Sequence, residues 1–108
     1  MFERGELVLV PFPFSDLSAV KRRPVLVLTA PDGYGDFIAL PVTSRPRAER
    51  GVPLTSADML RGALPVPSWI RTDRIVTLNT SLVVKSIGKV SNEIVAKAIK
   101  EFCDRINF

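Results

Sequence analysis

Pro24-Val25-Leu26-Val27-Leu28-Thr29 decides the fold. It is a short, β-rich run, apolar at nearly every position, and Glu6-Leu7-Val8-Leu9-Val10 has the same character. A strand without polar alternation is buried on both faces. In a chain of 108 residues, this implies a curled sheet with further elements packed outside it.

Between these runs lies Pro11-Phe12-Pro13-Phe14, leading to Ser18-Ala19-Val20-Lys21-Arg22-Arg23. Prolines at alternate positions exclude a helix and oppose a central strand. On the other side, Asp32-Gly33-Tyr34-Gly35-Asp36 reads as a turn into a third strand, Phe37 to Thr43, which makes a hairpin. Ser44 to Gly51 is polar, basic and broken by Pro and Gly, so an exposed, mobile loop is expected. Val52-Pro53-Leu54 reads as a short edge strand. Ala63 to Arg71 and Arg74 to Leu78 supply further strands, and Ser81 to Gly88 a turn and a short strand. A helix is expected after Ser91, a good N-cap. Ile94, Val95, Ala98, Ile99, Phe102 and Ile106 fall on its inner face, with Glu93 and Lys97, and Lys100 and Asp104, paired outside. The order predicts one mainly β domain, a small curled barrel closed by a C-terminal helix.

Composition narrows the chemistry. The chain has 46% apolar and 24% charged residues, no histidine and a single cysteine, Cys103. Most zinc sites, Ser-His or Cys-His dyads and intrachain disulfides are thereby excluded. The net charge of +4 resides between Lys21 and Arg74, where nine basic residues face five acidic ones. A basic middle on a neutral frame suits a phosphate-bearing partner. The start of the chain has no signal-peptide pattern, and no apolar run approaches the ~18 residues needed to span a bilayer. A soluble, intracellular protein is expected, in keeping with its cysteine usage.

Four local features carry chemistry. Lys21-Arg22-Arg23-Pro24 places three cations at the entry of a buried strand, able to clamp phosphate, although a charged strand entry also serves solubility. Pro41-Val42-Thr43-Ser44-Arg45 ends a strand with two hydroxyls and a cation suited to a phosphate oxygen. In Ser68-Trp69-Ile70-Arg71-Thr72-Asp73-Arg74, alternation sets Arg71 and Asp73 on one face of an extended segment, as an acid–base pair or a plain salt bridge. Phe12 and Phe14 form a binding surface or cover the barrel's open end.

In this order the features resemble the MazF/PemK (Kid-like) toxins of type II toxin–antitoxin systems. The opening Arg4-Gly5-Glu6 with its apolar strand, Arg23-Pro24 with the next, Pro41-Val42-Thr43-Ser44, Arg71-Thr72-Asp73, Ile75 to Asn79 and the terminal helix carry the resemblance. It spans essentially the whole chain and implies that residues 1–108 form a single domain, an SH3-like barrel of the CcdB/PemK/MazF type. It further implies a cytoplasmic homodimer without cofactors, acting as a ribosome-independent, sequence-specific endoribonuclease on single-stranded mRNA. Arg23 and Thr43 match the residues most often given catalytic roles, Arg71 and Asp73 an acid–base pair of some members, and Ser44 an RNA-contacting position. The implied partner is an antitoxin whose disordered acidic C-terminal segment blocks the RNA groove and with which the toxin binds DNA. Where some members place His, Glu or Gln, this chain reads Ser18-Ala19-Val20, and Arg74 stands where many have Gln. Fold alone does not separate this reading from a CcdB-like toxin that binds DNA gyrase without cutting nucleic acid, or from a catalytically silent RNA- or antitoxin-binding module. Arg23 with Thr43 favours the nuclease.

Without histidine, cleavage by the 2′-OH depends on positioning and electrostatics. Arg23, always charged and bidentate, suits the negative charge gathering on the phosphoryl oxygens. Thr43 suits a hydrogen bond to a non-bridging oxygen or the 2′-OH. Asp73 is the candidate base, although Arg71 and Arg74 are expected to depress its pKa. Lys21, Arg22, Arg45, Arg47 and Arg50 are expected to hold RNA, the loop arginines on flanking phosphates.

Overall fold

The structure, a computed structural model, describes residues 2–13, 20–45 and 51–107. Eight strands precede one helix: β1 (Glu6–Pro13), β2 (Val20–Val27), β3 (Asp36–Thr43), β4 (Gly51–Leu54), β5 (Met59–Gly62), β6 (Ser68–Arg71), β7 (Val76–Asn79), β8 (Lys85–Val90) and α1 (Asn92–Ile106). They form one antiparallel sheet in the order β4-β6-β3-β2-β1-β8-β5, with β7 also on β3. The result is the expected mainly β half-barrel with a C-terminal helix.

The two apolar runs are buried on both faces. Leu7, Leu26, Leu28 and Leu40 belong to one cluster, covered by Val95 and Ala98 of α1. Val8, Val10, Val25, Val27, Phe37 and Ala39 form a second, covered by Phe2, Val76, Leu78 and Val83. This is why these strands do not alternate in polarity. Each fully buried Leu, Val or Phe contributes roughly 1.5–3 kcal/mol.

Prolines decide where strands change partner. Contrary to the sequence expectation, β1 continues through Pro11 and Pro13, paired with Arg22 and Val20 of β2. The β8 partner stops at Leu9, so beyond it β1 offers an edge on which a missing N–H has no ladder to break. Pro41 plays a related part in β3. The strand pairs with β7 at Asp36 to Ala39 and with β6 at Val42 and Thr43, and Pro41 lies between the two.

Other boundaries also differ from expectation. The stretch from Ala63 to Pro67 is not a strand; β6 begins at Ser68, and β5 precedes it. Gly62 makes that close pairing possible. It has a φ of +76°, and a Cβ there would run into the Ile87 carbonyl and the Gly88 backbone. The helix begins where the cap predicts, with Ser91 Oγ accepting from the Ile94 N–H at 3.4 Å. Val95 and Ala98 are its buried residues, whereas Ile106, expected on the inner face, lies in the last helical turn and is exposed.

Candidate nucleic-acid interface

Three strand ends assemble the candidate site. β2 brings Arg22 and Arg23, the end of β3 brings Thr43, Ser44 and Arg45, and the end of β6 brings Arg71. The β2–β3 register pairs Val25 with Pro41 and Val27 with Ala39. Arg23 lies two residues before Val25 in β2 and Thr43 two after Pro41 in β3, so alternation gives each the same face as that pair. Thr43 is buried, and its Oγ1 accepts from the Arg45 N–H at 3.2 Å. A hydroxyl has a proton to donate besides, so this bond orients Thr43 while leaving its O–H available as a donor.

Arg23 is half-buried, and burial holds its guanidinium below the ordinary arginine range, followed by the positive charges of Arg45 and Arg71. Arg71 at the end of β6 and Arg45 just beyond β3 thus lie near enough for their charges to act on Arg23. An anion between them relieves both their repulsion and the desolvation of Arg23.

Arg71 and Asp73 meet as a fork: Nε donates to Oδ1 at 3.2 Å, and Nη2 to Oδ2 at 3.0 Å. The strand ends at Arg71, and a turn through Thr72 and Asp73 closes the pair, rather than an extended segment. The Arg71 hydrogen bond holds Asp73 below the usual carboxylate range, against the opposing effect of burial. The other cation acting on it is Arg105 of α1; Arg74 is exposed. A carboxylate so held is a weak base and a good anchor for Arg71.

Beside the arginines runs a groove of 440 Å³. Its rim carries Arg22, Arg23, Ser44, Arg45 and Lys85, and its apolar wall includes Leu9, Pro24, Val42, Leu64 and Ile87. Lys85 was missed in the sequence, where it stood in a stretch without clear periodicity. Pairing with Leu9 of β1 brings it to the groove. The Lys21 side chain, Arg47, Arg50, Phe14 and the Phe12 side chain lie outside the described residues. Among the described residues, no three His, Cys, Asp or Glu side chains converge as a metal site, and no helix is long and apolar enough to cross a membrane.

A mainly β half-barrel with a C-terminal helix is the fold of solved MazF toxins. The chain belongs to the PemK-like, MazF-like toxins of type II toxin–antitoxin systems, whose family model matches residues 3–104. Among solved structures, MazE–MazF from Deinococcus radiodurans matches with a TM-score of 0.76 at 24% identity, covering 97% of this chain and 95% of that chain. An endoribonuclease in complex with its cognate antitoxin from a mycobacterial species matches with a TM-score of 0.72 at 18% identity, covering 100% and 99%. The Mycobacterium tuberculosis toxin MazF-mt6 matches with a TM-score of 0.65 at 19% identity, covering 94% and 99%. At these identities the likeness establishes the fold. No curated protein sequence matches the chain significantly.

Proposed function

We propose that this chain is a metal-independent, sequence-specific endoribonuclease that cleaves single-stranded mRNA. The observation that carries the reading is a half-buried Arg23 on which the charges of Arg45 and Arg71 both act, with the Arg45 N–H bonded to Thr43. Fixed cations of this kind stabilise the charge that develops on a phosphoryl group.

In the proposed reaction the 2′-oxygen attacks the adjacent phosphorus. The P–O5′ bond breaks, leaving a 2′,3′-cyclic phosphate and a 5′-OH. The proton lost by the 2′-OH and the proton gained by the 5′-oxygen balance. Arg23 and Arg71 stabilise the phosphoryl oxygens. Thr43 donates to a non-bridging oxygen or orients the 2′-OH. Asp73, held ionised by Arg71, fixes that guanidinium and is a base of low strength. Arg22, Ser44, Arg45 and Lys85 hold flanking RNA along the groove, and Lys21, Arg47 and Arg50 bind RNA phosphates as well. Residues 1–108 act as a single domain. Two copies share an RNA groove that one barrel is too small to enclose, in the cytoplasm. A cognate antitoxin with an acidic, disordered segment occupies the basic groove and blocks access. The solved complexes of relatives with antitoxins support this partner.

The test is incubation of the purified protein with a long RNA in EDTA, followed by mapping of both new ends. Discrete cuts with cyclic phosphate and 5′-OH ends support the reading. Intact RNA together with inhibition of DNA gyrase would replace it with a CcdB-like activity.

A further inference from the structure

We propose that Glu101 and Arg105 of α1 are positioning residues, holding Arg71 and Asp73 in place through the buried hydroxyl of Thr72. The inference rests on the nuclease reading for its effect on catalysis, but its geometry stands apart from it.

Thr72 sits between the two site residues and is fully buried. Its Oγ1 donates to Glu101 Oε1 at 2.7 Å and accepts from Arg105 Nε at 3.0 Å. Arg105 Nη2 closes the triangle on Glu101 Oε1 at 3.2 Å. The three side chains therefore satisfy one another across about thirty residues of sequence separation. Glu101 and Arg105 are one helical turn apart, so both face the β6 turn. Among the described residues the ladders on β6 reach Arg71 on the β4 side and Ile70 on the β3 side and do not extend into the turn at Thr72 and Asp73. The triangle supplies a constraint there. With Thr72 locked toward the helix, Arg71 and Asp73 on either side of it are left to form their part-buried fork. Arg105 also lies near enough to act on the Asp73 charge. Catalysis that depends on a guanidinium held in place is sensitive to displacements on the order of 1 Å.

The experiment compares the parent protein with Glu101→Ala, Glu101→Gln, Thr72→Val and Thr72→Ser. Glu101 lies on a partly exposed helix face, so its variants fold even if Thr72→Val does not. One readout is the Arg71 Nε–H resonance together with the titration of the Asp73 carboxyl by NMR. Glu101→Ala should shift or broaden the Arg71 signal and move the Asp73 midpoint from its parental value. Glu101→Gln and Thr72→Ser, which keep the bonding atoms, should restore the parental signals. A second readout is cleavage of a short RNA substrate. Glu101→Ala should lower kcat on the order of tenfold with KM little changed, because RNA contacts along the groove remain. An unchanged Arg71 resonance and Asp73 midpoint in folded Glu101→Ala would overturn the proposal. A parent that cuts no RNA would instead remove the nuclease reading, and the NMR comparison alone would then decide whether the helix positions the pair.

Discussion

The Arg71 guanidinium grips the Asp73 carboxylate with two hydrogen bonds, 3.2 Å and 3.0 Å long. Both side chains are largely shielded from water, with 23% and 17% of their surfaces exposed. Of the two readings the sequence allows, the salt bridge is the one the structure contains. Asp73 keeps Arg71 aimed, and in exchange is too strongly held to serve as a good proton acceptor.

This arrangement sets a pH dependence. Folding lowers the Asp73 pKa, chiefly through the Arg71 hydrogen bond. Its stabilising contribution is therefore complete above the ordinary carboxylate pKa of about 4 and disappears as pH falls through the lower folded value. Asp73→Asn should cost about 1 kcal/mol at neutral pH and progressively less in strong acid. Thermal unfolding of both proteins across pH would show the two curves converging on the acid side. Parallel curves down to the lowest pH would contradict the account. The cleavage rate, for its part, should show no inflection from Asp73 between pH 5 and 8.

Arg23→Ala should lower kcat by about 10²- to 10³-fold, with Arg23→Lys recovering only part, since a point charge cannot reproduce the planar fork. The half-buried position of Arg23 makes a check on folding necessary, and circular dichroism of the variant provides it. Parental kcat in a folded Arg23→Ala protein would remove Arg23 from the site.

The groove cations predict salt dependence. Lys85→Ala should weaken binding of a single-stranded RNA and reduce the slope of log affinity against log salt by about 0.7. An unchanged slope would place the RNA elsewhere than the groove that Lys85 borders. Much of the site was legible because its cations are adjacent in sequence to strongly apolar strands. Arg23 follows from Pro24-Val25-Leu26-Val27, and Thr43 ends a strand whose partner is set by a short turn. Lys85 and the Thr72–Glu101–Arg105 triangle were not legible. They depend on β8 pairing with β1 and on α1 crossing the end of β6, contacts between residues far apart in the chain. The strand at Pro11 and Pro13 was hidden for a similar reason: a proline's tolerance depends on which edge of the strand is open.

Gly62→Ala should destabilise the protein by more than about 1 kcal/mol, because the φ of +76° and the nearby Ile87 carbonyl leave no room for a Cβ. Chemical denaturation would register the loss. Equal stability would mean that β5 does not lie against β8 as described.

The most direct measurement is end-mapping of a long single-stranded RNA after incubation with the folded protein in EDTA. The account predicts cuts at discrete sites, each with a 2′,3′-cyclic phosphate and a 5′-OH, abolished by Arg23→Ala. RNA left intact by the parent protein, or cut to 5′-phosphate ends, would contradict it.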